Sequence, residues 1–336
     1  MKYFKLFATC IIVKGFKRSS ISDLERNKNY IIPNFVADFL LRGNATIDVD
    51  DNLKQWIDLF VKEELGFFTK YPDYYPNLSL EWDSPETINN AIIEADNLNE
   101  TALIDLINQL NDLNCRYIEF RFYSNIKISL FEQILIDLHK GSVSGIVIYA
   151  KYDSNDMECI QGLLAKSNII LSVVLHSCNE EIINDNPRIY ITNQIINASV
   201  HCGQISQDYF SINIKTFTES NHFNTCLNKK IAIDNDGNIK NCPSMKESYG
   251  NIKDTKLIDV VDNSCFKDYW IIKKDVIDVC KNCEFRHICT DCRAYIEEPN
   301  NKFSKPLKCG YNPYTNKWSE WNSDHSKKML IEYYGL

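Results

Sequence analysis

Eight of the chain's thirteen cysteines fall in its last third, and their spacing constrains the fold more than any other feature. Four of them, Cys280-x2-Cys283-x5-Cys289-x2-Cys292, lie within thirteen residues. Thiols this close cannot all pair comfortably as disulfides, whereas two cysteines two residues apart ligate one metal or cluster without backbone strain. The opening residues do not read as a secretion signal. Lys2 and Lys5 are followed only by Leu6–Val13 before Lys14, too short an apolar core for an exported chain. A cytoplasmic location is therefore expected, where clustered thiols mean metal or redox chemistry.

Upstream, Ile231, Ile233 and Ile239 flank Asn235-Asp236-Gly237. Asp-Gly between alternating apolar residues predicts a hairpin, because the tight turn needs positive φ. Its arms return Cys226 and Cys242 toward the same end, giving Cys226-x10-Gly237-x4-Cys242. Cys309 follows Cys292 after 16 intervening residues. From Asn221 onward continuous apolar runs are scarce, so bound metal is expected to supply part of the folding energy.

The rest of the chain has a different texture. In residues 1–77, Phe4–Val13 reads as a strand, Pro33–Leu41 as an amphipathic helix, and a longer helix starts at Asp50–Asp51 as cap. Phe67–Tyr71 closes the segment as a strand, and the order fits a winged-helix-like module. From residue 78 to 215 strand and helix patterns alternate. Strands are expected at Ile88–Glu94, Arg116–Tyr123, Gly145–Lys151, Ile169–Leu175 and Arg188–Thr192, with helices at Glu100–Leu113, Leu130–His139 and Asp156–Lys166. Repeated units of this kind predict an α/β fold, a parallel sheet that is open or curled into a partial (β/α) barrel. Residues 216–336 form the cysteine-rich third part. The longest apolar runs stay under ten residues and exclude a helical membrane span. A net charge of −8 argues against broad nucleic-acid or anionic-membrane binding.

The cysteine grammar resembles the SPASM domain of radical SAM peptide-modifying enzymes, in which Cys-x9–15-Gly-x4-Cys, Cys-x2-Cys-x5-Cys-x3-Cys and a lone Cys bind auxiliary [4Fe–4S] clusters. Cys226, Cys242, Cys280, Cys283, Cys289, Cys292 and Cys309 all have counterparts; the spacing before Cys292 departs, x2 for x3. The resemblance implies one cluster on Cys280, Cys283, Cys289 and Cys309, and three ligands of a second from Cys226, Cys242 and Cys292. The fourth ligand of that second cluster is expected from His222, with Cys265 and Cys202 as alternatives, unless the iron is open. Structural zinc is the competing occupant of such thiols.

A radical SAM enzyme also needs Cys-x3-Cys-x2-Cys after its first barrel strand. Here that loop, Ala95-Asp96-Asn97-Leu98-Asn99, has no cysteine, and the triplet occurs nowhere in the chain. Reductive cleavage of S-adenosylmethionine is therefore not expected. A SPASM region without the triplet is similar to the SPASM-domain peptide maturase of grasp-with-spasm systems, the supporting residues here being His222–Asn228, Asp234–Gly237, Ile239–Ser244, Cys280–Tyr295 and Lys305–Pro313. That resemblance implies a precursor peptide and an ATP-grasp ligase as partners, with residues 1–77 as a possible leader-recognition module. The alternative is a non-catalytic adaptor whose metal is structural. Asp291 and Arg293, flanking Cys292, suit a hydrogen-bonded support of the thiolates better than a proton acceptor. Glu119 and Arg121 could line a barrel mouth or form a buried pair. Asp234-x-Asp236-Gly237 lacks the glutamate of a calcium loop and reads as the hairpin turn.

Overall fold

The structure is a computed structural model that describes residues 2–42, 50–180, 182 and 184–336. It divides into two compact units, neither continuous in sequence: 1–83 with 203–226 and 271–336, and 84–202 with 227–270. Of the three expected segments, 1–77 falls wholly in the first unit, and the other two contribute to both.

The first unit begins with β1 (Tyr3–Leu6), β2 (Cys10–Lys14), β3 (Arg18–Asp23), β4 (Lys28–Pro33), α1 (Asn34–Leu41), α2 (Asp51–Lys62) and β5 (Gly66–Thr69). β1 pairs antiparallel with β5, and β2, β3 and β4 form an antiparallel sheet. Both helices match the sequence expectation, and the Asp50 side chain accepts the Leu53 N–H as the cap of α2. The expected single strand Phe4–Val13 is instead two strands in different sheets, broken where Cys10 N–H bonds back to Phe7 O. β3 and β4 escape the apolar-alternation rule. Ser19, Ser20, Ser22 and Asp23 of β3 are all buried, satisfied by side-chain bonds such as Ser19 Oγ to Asn34 Oδ1 (2.7 Å) and Ser20 Oγ to Glu284 O (2.9 Å). A strand that buries hydroxyls carries no hydrophobic period to read.

The second unit is α/β. β6 (Asn90–Glu94), α3 (Glu100–Asp112), β7 (Tyr117–Arg121), α4 (Ile128–Lys140), β8 (Gly145–Lys151), α5 (Met157–Lys166), β9 (Ile170–His176) and β10 (Ile189–Ile191) follow the expected rhythm closely. Each helix presents apolar residues at helical spacing to the core: Leu103, Leu106, Ile107 and Leu110; Phe131, Ile134, Leu135 and Leu138; Ile160, Leu163 and Leu164. Strands β6 to β10 are parallel neighbours in sequence order, as helical crossovers require. The hairpin strands β11 (Lys230–Ile233) and β12 (Ile239–Lys240) extend the same sheet, β11 pairing parallel with β6. The order β10-β9-β8-β7-β6-β11-β12 leaves two edges, so this seven-stranded, mostly parallel sheet is open. Ile231, Ala232 and Ile233 are at most 1% exposed, which is why the hairpin joins a core rather than standing alone. Among the described residues no helix is long and apolar enough to cross a membrane.

Candidate metal centre

Four of the seven motif cysteines meet in the first unit. Cys280, Cys283, Cys289 and Cys309 are unoxidised thiols lining one cavity of about 30 Å³. Apolar side chains close it: Ile205, Phe210, Phe285, Pro306 and Trp318. The backbone explains the approach. Val279 takes φ +66, a left-handed conformation that a β-branched residue adopts only under constraint. That kink starts a tight turn in which Cys283 N–H donates to Cys280 O at 2.9 Å. Phe285 N–H then donates to Cys283 Sγ at 3.4 Å. Cys289 N–H returns to Phe285 O, and Cys309 is fixed by a bridge to Ile205.

Burial dominates the electrostatics. It pushes the Cys280 thiol up to about 11 and Cys289 to about 12, with the Lys274 ammonium pulling both down; Cys283 also lies well above the usual thiol range. Thiols in this state hold their protons until a metal displaces them. Lys274 lines the same cavity and is itself buried. Burial alone would lower its pKa, but Asp291 and the neighbouring thiols outweigh it and hold the ammonium above the ordinary lysine range. Asp291, 2% exposed, accepts from Lys274 Nζ (3.4 Å), Arg293 Nη2 (2.8 Å) and Asn224 Nδ2 (2.6 Å). All three of these partners are side-chain nitrogens, so Asp291 is bonded to Asn224, Lys274 and Arg293 rather than to a thiol. Neither Lys274 nor Asn224 is singled out by the sequence: Lys273-Lys274-Asp275 reads as surface charge, and nothing in it marks which lysine is buried.

The loop carrying Cys283 rests on the N-terminal strands of its own unit. Arg18 Nε pairs with Glu284 Oε1 at 2.6 Å, and Tyr311 Oη donates to the same oxygen at 2.5 Å. Phe16 N–H donates to Asn282 O, and Arg286 Nη1 to Lys14 O. Residues 10–23 therefore buttress a cysteine loop, a relation invisible in the sequence.

The other motif residues are placed as follows. Cys226 and Cys292 belong to the first unit and Cys242, after β12, to the second. Cys226 N–H donates to Asn224 Oδ1, which ties it to the Asp291 network. Gly203, at φ +84, faces Cys292: a Cβ there would stand 2.8 Å from its Sγ, so only glycine leaves room for that sulfur. His222 Nε2 lies 2.8 Å from Leu80 O; a carbonyl only accepts, so Nε2 carries the proton and Nδ1 is the nitrogen left for a metal. Cys202 and Cys265 are exposed and lie in the second unit. The hairpin turn is as expected, with Gly237 at φ +83 and Asp234 paired to Lys240 at 2.8 Å. Among the described residues, no three His, Cys, Asp or Glu side chains converge tightly enough to hold a single metal ion.

In the second unit, Glu119 and Arg121 form a half-buried pair on an open sheet, not a barrel mouth. They pair at 2.5 Å, and Arg121 lines a cavity of about 200 Å³ at the carboxyl ends of β7 and β8 with Tyr123, Tyr149, His201 and Cys202. In loop 95–99, Asp96 accepts the Tyr123 and Ser124 N–H groups, and Asn99 caps α3.

No family model and no curated protein matches the chain. Among solved structures it is similar to BtrN in complex with AdoMet and 2-DOIA, at 13% identity and TM-score 0.39, over 65% of this chain and 98% of that one. It is also similar to Streptococcus suis SuiB bound to S-adenosylmethionine, at 10% identity and TM-score 0.35, over 90% and 99%. The chemistry of the site rests on the chain's own residues.

Proposed function

We propose that the chain is an iron–sulfur peptide maturase, related to radical SAM/SPASM proteins, that acts with an ATP-grasp ligase on a ribosomally made precursor peptide. The observation that carries this reading is the lining of one apolar cavity by Cys280, Cys283, Cys289 and Cys309. Four thiols are the donor set of a [4Fe–4S] cluster. A single zinc needs its four sulfurs at about 2.3 Å from one point. A cubane spreads four thiolates round a larger core, one per iron. The second set, Cys226, Cys242 and Cys292 with His222, rests on the motif alone.

When bound, such a four-thiolate cluster would supply one-electron transfer; an open iron for substrate would belong to the three-cysteine set. The chain's residues do the rest. Phe285 N–H and the apolar walls shield the sulfurs, and Asp291 orients Lys274 and Arg293 beside them. The precursor would bind in the first unit, where Lys5–Ala8 and Cys10–Ile12 line a cavity of about 310 Å³ with Leu78 and Leu80. β1 and β2 each pair on one side only, which leaves edges for an added strand.

The adaptor reading is favoured by one observation: loop 95–99 carries no thiol, and its polar groups serve as structural bonds. The test is iron, acid-labile sulfide and zinc per chain on anaerobically purified protein. About eight iron and eight sulfide are expected for two clusters. Zinc without sulfide would overturn the iron–sulfur reading and leave the adaptor.

A further inference from the structure

Near the four-cysteine cavity one buried carboxylate is shared by two buried cations. Arg18 is matched by Glu284 and Arg286 by Asp275, each as a close pair. A third group has two cations, Lys274 and Arg293, on one carboxylate, Asp291. Asp291 makes its short bond to Arg293 at 2.8 Å, while Lys274 Nζ stands back at 3.4 Å. Arg293 also spends Nη1 on the Lys302 and Ser304 carbonyls, away from the cysteines. Lys274 is therefore the less tightly paired cation of this group, and it is the member that lines the cavity with Cys280 and Cys289. A buried ammonium whose one carboxylate is shared with a second cation is costly unless a further anion joins it.

We propose that Lys274 is the built-in counter-charge for an anionic cluster on Cys280, Cys283, Cys289 and Cys309, and that it sets the cluster's reduction potential. The inference rests on the iron–sulfur reading and goes beyond it by assigning a role to a residue outside the motif. Four thiolates outweigh the two positive charges of an oxidised [4Fe–4S] core, so the assembly is doubly negative. Reduction adds one electron from an external one-electron donor, makes no bond and breaks none, and deepens the negative charge. A fixed cation in a low-dielectric cavity stabilises the reduced form more than the oxidised one.

The experiment compares wild type, Lys274→Met and Lys274→Arg, reconstituted anaerobically and titrated with dithionite under EPR detection. In Lys274→Met the reduced-to-oxidised ratio of one cluster is expected to fall about tenfold at fixed potential, which for one electron is about 59 mV. Lys274→Arg should stay within about twofold of wild type. A loaded Met variant whose potential does not move overturns the inference alone. A wild type without iron and sulfide overturns the underlying reading and the inference with it. Should Lys274→Met fail to retain iron, retention by Lys274→Arg supports the counter-charge, and loss in both variants overturns it in favour of a packing role.

Discussion

The parallel sheet of the second unit and the cysteine region of the first are held by different physics. In the sheet, Ile118, Phe120, Ile146 and Ile148 are buried in one apolar cluster with the inward faces of α3, α4 and α5. Burial of that kind is worth about 25 cal/mol per Å² and asks only for the right period. The stretch from Lys274 to Cys309 has no such repeat. Lys274, Glu284, His287, Asp291, Arg293, Ser304 and Lys308 are buried there, held by ion pairs and hydrogen bonds around four thiols. Apolar packing tolerates losses one side chain at a time, while a polar network with a ligand set fails when one member is removed.

That contrast can be broken or sharpened by substitution. The largest effect is expected from Cys289→Ala, which should abolish one cluster's iron and open residues 274–309 to rapid amide exchange while β7 and β8 keep their protection. Equal loss of protection in both places would show that they are not held independently. Asp291→Ala leaves Lys274 and Arg293 buried without a carboxylate, at an expected cost of about 3–5 kcal/mol, read by exchange in the same stretch. It is thus no clean test of proton transfer. Phe120→Ala should cost about as much, roughly 3–5 kcal/mol, but in the sheet, with iron per chain unchanged. A drop in iron would tie the sheet to the metal site. Asn99→Ala, removing the α3 cap, should cost about 1 kcal/mol, seen as faster exchange in the first turn of α3.

The smallest expected effect concerns pH. Burial lowers His176 below the ordinary histidine value, and its Nε2 donates to Phe122 O. The folded sheet therefore resists protonation of this ring, while the unfolded chain takes up a proton below about pH 6.5. Its contribution is fully present above that pH and declines as pH falls. Urea midpoints of the second unit at about pH 7.5 and 5.5 should show this slope, and His176→Gln should flatten it.

Residues 1–77 teach a related lesson about deletion. Because Arg18, Phe16 and Lys14 bond directly to the loop bearing Cys283, removing the segment would disturb the metal site as well as any peptide groove. Point changes on the exposed face of the groove, such as Phe7→Ser, are the cleaner probe of precursor binding. Loss of affinity with unchanged iron is the expected result.

What was legible in the sequence is what local rules encode. The helices at Glu100–Asp112 and Met157–Lys166 and the strand Gly145–Lys151 follow from side-chain period and caps, which depend only on neighbours along the chain. The closeness of Cys280, Cys283 and Cys289 followed from spacing, because the reach of a turn is also local, whereas the place of Cys309 beside them came only from the family resemblance. The strands Arg18–Asp23 and Lys28–Pro33 were not legible, since their buried serines are satisfied by partners far away in sequence. Nor was the parallel pairing of Lys230–Ile233 with Asn90–Glu94. The sequence determined which residues could bind metal and which could pack. Only the tertiary structure decided that Lys274 would be buried among the thiols and that residues 10–23 would brace them, because burial and charge balance belong to neighbours in space.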